Sequence, residues 1–146
     1  EEFKHHEEHG LFWIAAIYID INNFKAFNDT YGHQKGDEVL IETAQRAKEA
    51  TKEWGDFVFR NTSERGDEFV LILPGRHEVD KKKMQHIFDR IKAKIHDGFY
   101  VENDKGEKIP ITLAMGYDAV YPGEDKIPAE LLAAADQQMY RNKKDK

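Results

Sequence analysis

The segment that most restricts this chain is Arg65-Gly66-Asp67-Glu68-Phe69, followed at once by the apolar run Val70-Leu71-Ile72-Leu73. A glycine turn, two adjacent carboxylates and a buried strand, in that order, put acid at the mouth of a sheet. An earlier apolar run, Ile14-Ala15-Ala16-Ile17-Tyr18-Ile19, ends in another acid, Asp20. If the two runs are neighbouring strands, their carboxylates converge at one sheet edge. Like charges gathered out of water are costly without a cation. Hard oxygen donors suit magnesium, whose other partners are usually substrate phosphates. The competing reading is a solvated hairpin with incidental acids. Successive strand side chains face opposite ways, so Asp67 and Glu68 share one cluster only where the turn distorts that alternation. Asp67 is therefore the first choice.

Bulk properties bound the rest. A chain of 146 residues falls in the one-domain range and can bury a core. A formal charge of −6 and a pI near 5.6 argue against a nucleic-acid partner, which needs a basic footprint. No apolar stretch approaches the roughly 18 residues of a membrane span, and no membrane contact is expected from this segment. Without cysteine there are neither disulfides nor thiolate metal sites. The chain opens with Glu1 and nothing in it resembles a cleavable signal, so the expectation is a cytoplasmic domain cut from something longer. Residues 1–10, rich in His, read as a leader or helix end rather than a metal site, and residues 11–146 as a single domain.

Along the chain, Leu11 to Ile19 suits a central strand covered on both faces. A short segment, Asn22 to Thr30, breaks at Tyr31-Gly32-His33. From Asp37 a helix is expected on Leu40, Ala44, Ala47 and Trp54, with Asp37 placed to cap it. Phe57-Val58-Phe59 and Phe69 to Leu73 read as the arms of a hairpin whose loop is Asn61 to Gly66. Met84, Ile87, Phe88, Ile91 and Ile95 form one helical stripe. Gly98 to Val101 and Ile109 to Tyr117 are strand candidates around a loop at Asn103 to Gly106. A last helix starts near Pro128 and carries Leu131, Leu132, Ala135 and Met139 on one side. The order predicts an α/β (α+β) sandwich, with helices flanking a mainly antiparallel central sheet.

Three short patterns then line up: Asp20-Ile21-Asn22-Asn23-Phe24-Lys25, Asn28 through Asp37, and Arg65 through Phe69. Ala135-Asp136 with Tyr140 and Lys143, and Ile111-Thr112-Leu113-Ala114-Met115-Gly116, extend the series. In order and spacing the chain resembles the GGDEF domain of diguanylate cyclases from about Phe12 to Lys144, with a palm-like, nucleotidyl-cyclase-like fold. The resemblance implies condensation of two GTP into cyclic di-GMP across a homodimer, with pyrophosphate as leaving group and a sensor or regulatory domain fused elsewhere. It implies two Mg2+ (or Mn2+) ions held by Asp20, the Ile21 carbonyl and Asp67, with Asp67 helping to activate the hydroxyl and Glu68 in support. Asn28 and Asp37 would read guanine, with helix-cap and turn roles as the alternatives. Lys25 and Lys143 would meet phosphate as point charges; for Lys143 the alternative is a favourable cation at a helix C-terminus. Phe24 and its neighbours would offer backbone N–H groups to phosphate, and Gly66 would keep the signature turn.

The departures matter as much. Arg65 stands where the signature has its first glycine, and a side chain costs about 1 kcal/mol where a left-handed conformation is demanded. Asn61 through Glu64 separate Arg60 from Arg65, a loop longer than the family's. A degenerate GTP-binding regulatory module, or a palm cyclase making another cyclic nucleotide, are therefore the alternatives to an active cyclase. Many members are inhibited by product at an Arg-x-x-Asp motif. Here the corresponding stretch is Glu53-Trp54-Gly55-Asp56, and no tight product site is expected.

Overall fold

The computed structural model describes residues 11–55, 58–61, 67–124, 126 and 128–144. The expectations placed on Asp56, Arg65, Gly66 and residues 1–10 therefore lie outside the described residues. Chain order is β1 (Trp13–Ile21), α1 (Phe24–Tyr31), α2 (His33–Thr51), a 3-10 turn (Lys52–Trp54), β2 (Val58–Asn61) and β3 (Glu68–Gly75). It continues through α3 (Lys81–His96), β4 (Tyr100–Glu102), β5 (Lys108–Pro110), β6 (Leu113–Val120) and α4 (Pro128–Lys144). Four strands form an antiparallel sheet in the order β2-β3-β1-β6, and β4 pairs with β5 as a separate ribbon.

β1 is central because it is apolar on both faces. Ala15, Ile17, Ile19 and Ile21 enter the main core, which α2 supplies with Val39, Leu40 and Ala47 and α3 with Met84, Ile87, Phe88, Ile91 and Ile95. Its other face, Ile14, Ala16 and Tyr18, packs with Val120 and with Leu131, Leu132 and Ala135 of α4. Helices thus cover both faces of an antiparallel sheet, as the patterning predicts. α3 begins where the Asp80 carboxylate accepts from the Lys83 N–H at 2.7 Å, and Lys94 and His96 sit at its negative end.

Two expectations need correction. The α2 helix starts at His33, not Asp37, so Asp37 is not its cap. Gly32, at φ 92°, ends α1 and opens α2, and the Gly36 N–H already donates to the Gly32 carbonyl at 3.1 Å. The apolar stripe begins only at Val39 because the first turn lies mostly on the surface, which hid the true start. The strand expected over Ile109 to Tyr117 is two elements, β5 and β6. Pro110 has no N–H with which to extend a ladder, and Ile111 turns back to donate to Phe99 while Asn22 donates to Thr112.

Candidate active site

Strand register decides where the acids go. Asp20 lies directly across the ladder from Glu68, and the Ile21 N–H donates to the Asp67 carbonyl at 3.3 Å. Both acids are buried, with relative exposures of 1% for Asp20 and 2% for Asp67. The two runs do converge at one sheet edge.

The adjacent acids then part as the strand alternation demands. Asp20 and Glu68 line a cavity of about 620 Å³ beneath α4, with Asp136, Tyr140, Arg141 and Lys143 around it. Asp67 lines a cavity of about 700 Å³ beside α1, with Ile21, Phe24, Lys25, Asn28 and Lys143. Lys143 borders both, and its ammonium lies 2.8 Å from the Asp20 carboxylate. Lys143 also lies in the last turn of α4, so the ion pair with Asp20 and the helix-end charge coexist. In the α4-side cavity the neighbouring Tyr18 phenol is pushed above its ordinary value, first by burial and then by the Asp136 and Glu68 carboxylates. It stays a neutral hydroxyl beside those charges.

The cavity beside α1 is built for an anion at one end and a donor at the other. Asn23 adopts a left-handed conformation at φ 55°, turning the chain abruptly from β1 into α1. The first intrahelical bond runs from the Phe27 N–H to the Asn23 carbonyl, so the N–H groups of Phe24, Lys25 and Ala26 have no intrahelical acceptor. Lys25 is exposed at the same entrance. At the far side Asn28 Oδ1 is shut off from solvent with no hydrogen-bond partner among the described residues. It rests on Gly36, where an added Cβ would lie 1.7 Å from that oxygen. Asp37 is exposed on α2, next to Gly36. Sequence reasoning missed Gly36 as a site residue; its signal was a glycine one position before the candidate base reader, inside an otherwise helical stretch.

The donor set fits a divalent cation. Among the described residues no group of three or more His, Asp or Glu side chains is arranged to hold a metal alone. Magnesium does not need such a cage, since it binds through one or two carboxylates and completes its shell with water and phosphate. Asp20 on the α4 side of this edge, and Asp67 with Ile21 on the α1 side, supply hard oxygens of that kind.

With this geometry the comparisons agree. The profile of the family described as "Diguanylate cyclase, GGDEF domain" matches residues 1–146. The chain belongs to the GGDEF family of diguanylate cyclases. This GGDEF domain is 34% identical over 130 residues to the response regulator PleD of Caulobacter vibrioides, covering 89% of the chain and 27% of PleD. It is 32% identical over 130 residues to the bifunctional diguanylate cyclase/cyclic di-GMP phosphodiesterase MucR of Pseudomonas aeruginosa, covering 89% of the chain and 17% of MucR. Both relatives are thus several times longer than the matched region. A solved structure of the GGDEF domain of Pseudomonas aeruginosa YfiN (TpbB) superposes with a TM-score of 0.77 at 31% identity, over 99% of this chain and 78% of that one. The antiparallel sheet with flanking helices is the fold of these domains. Among the described residues no helix is long and apolar enough to cross a membrane.

Proposed function

We propose that this GGDEF domain is a diguanylate cyclase that condenses two GTP into cyclic di-GMP and acts as a homodimer in the cytoplasm, within a longer protein that carries a sensor or regulatory domain. The observation that carries the reading is the meeting of Asp20, Glu68 and Asp67 at the sheet edge, with Lys143 shared by the two cavities they line. Residues 11–146 form the catalytic unit, with residues 1–10 leading into it.

The reaction forms a bond from a ribose 3′ oxygen of one GTP to the α-phosphorus of the other and breaks that phosphorus's bond to pyrophosphate; it then occurs a second time in the opposite sense. Phosphoryl transfer of this kind depends on alignment and on cations near the developing charge. Two Mg2+ or Mn2+ ions, held by Asp20, Asp67 and the Ile21 carbonyl, would supply that charge and lower the pKa of the attacking hydroxyl when bound. The chain's own residues do the placing. Asn28 Oδ1 accepts from the guanine N1–H or N2–H, donors that adenine does not pair in that way, and Asp37 stands beside it on α2. Phe24 and the following N–H groups seat the phosphates, with Lys25 and Lys143 as point charges. Asp67 helps to activate the hydroxyl, and Glu68, across from Asp20, supports the charge balance.

Arg65 in place of a glycine and the longer loop favour a second reading, a GTP-binding regulatory module that turns over little. Incubation with GTP, ATP or both plus magnesium, followed by mass spectrometry, separates the readings. Cyclic di-GMP from GTP alone supports the cyclase. Bound GTP without product, in a protein shown to be dimeric, supports the module, and an adenine-containing product supports a different palm cyclase.

A further inference from the structure

β6 is an outer strand of the four-stranded sheet, and among the described residues no further strand pairs with its far side. α4 covers that edge with two side chains. Gln138 Oε1 accepts from the Tyr117 N–H at 2.7 Å. Asn142 Nδ2 donates to the Met115 carbonyl at 2.5 Å. Residues four apart share one helix face, and strand residues two apart turn their backbone groups to the same edge. The two amides therefore stand in for two rungs of a ladder, one accepting and one donating. Between them Gly116 permits the close approach, because a Cβ there would lie 2.1 Å from the Met139 nitrogen and 2.5 Å from the Ala135 carbonyl oxygen.

An apolar seat of Leu131, Ala135 and Met139 holds α4 to the sheet but fixes its register weakly, since such contacts are not directional. Hydrogen bonds to strand backbone are directional. Lys143 directly follows Asn142 and sets its ammonium on Asp20. Each residue of an α-helix advances about 100° around the axis, so a slip of one residue would carry Lys143 away from both cavities.

We propose that Gln138 and Asn142 are positioning residues that lock α4 in register on β6, so that Lys143 meets Asp20 and the phosphates. The inference rests on the GTP-binding reading above. Magnesium-GTP affinity is measured by calorimetry for Gln138→Met, Gln138→Glu and Asn142→Leu, each alone and combined with Lys143→Met, with hydrogen exchange of the Tyr117 amide followed in parallel. Gln138→Met and Asn142→Leu should each weaken binding by up to about tenfold, the worth of one hydrogen bond. Gln138→Glu keeps the acceptor and should stay within about twofold of wild type, and exchange at Tyr117 should quicken in Gln138→Met but not in Gln138→Glu. Because the effect runs through Lys143, both losses should vanish in the Lys143→Met background. Losses of equal size with and without Lys143 would overturn the proposal, as would wild-type affinity in both apolar variants. A wild-type protein that binds no magnesium-GTP would overturn the proposed function, and this inference with it, before any variant is compared.

Discussion

Replacing Gly36 with alanine should separate stability from nucleotide recognition in opposite directions. Gly36 is the buried fourth residue of α2 and its backbone is right-handed, so an alanine meets no conformational strain. In a helix interior alanine is favoured over glycine by about 0.8–1.0 kcal/mol. The new methyl would sit 1.7 Å from Asn28 Oδ1 and 2.8 Å from its Cγ. Those atoms belong to the end of a rotatable side chain, so Asn28 can swing into the adjoining cavity at little cost to the fold. The swing removes the acceptor proposed to face guanine. A gain of up to about 1 kcal/mol corresponds to roughly 2–4 °C in a domain of this size. Loss of a hydrogen bond that leaves the base unpaired costs about 1–3 kcal/mol, or between five- and more than a hundredfold in affinity. Thermal denaturation together with calorimetric titration of GTP and ATP reads both effects. The expected result is an unchanged or higher Tm, with GTP affinity falling toward that for ATP. A Tm lowered by several degrees, or unchanged preference for GTP, would refute the role given to Asn28 and its glycine seat.

Asp67→Asn should abolish cyclic di-GMP formation while leaving the fold intact by circular dichroism; unchanged product formation would remove Asp67 from the catalytic set. Glu53 is held by Arg90 at 2.9 Å, with the guanidinium over the Trp54 ring, so this face offers product an acid already engaged with its neighbour. Calorimetry should find no tight cyclic di-GMP site there, and submicromolar binding that survives Asp20→Ala but not Asp56→Ala would contradict this. The phenols of Tyr18, Tyr117 and Tyr121 are all pushed above the ordinary value of 10.0, chiefly by burial. The native state then holds those protons more tightly than the unfolded chain, so stability is whole below pH 10 and falls as pH rises through the raised values. Melting curves from pH 8 to 11 should show that alkaline loss reduced in Tyr18→Phe.

Much of this fold is legible in the sequence because burial imposes periodicity. The α3 stripe from Met84 to Ile95 is buried throughout, and the two-sided apolar run before Asp20 is the central strand. What was hidden has physical causes. The first turn of α2 is mostly exposed and carries no apolar signal, so the periodicity points to a start at Asp37, a turn beyond the true one at His33. The break between β5 and β6 depends on long-range bonds from Ile111 to Phe99 and from Asn22 to Thr112 that no local pattern records. In the site, the meeting of the Asp20 and Asp67 strands follows from hydrophobic patterning that fixes register. The ion pair between Lys143 and Asp20 spans most of the chain, and the seat of Asn28 on Gly36 is a contact between two helices. Neither has a local signature beyond the residues' identities.

Binding of manganese to the protein–GTP complex, followed by electron paramagnetic resonance, tests the proposed cation site most directly. Two ions should bind per wild-type subunit, and Asp20→Asn and Asp67→Asn should each lose at least one of them. Full manganese occupancy in Asp67→Asn would contradict the site as drawn, because one of its two buried carboxylates would then have no part in it.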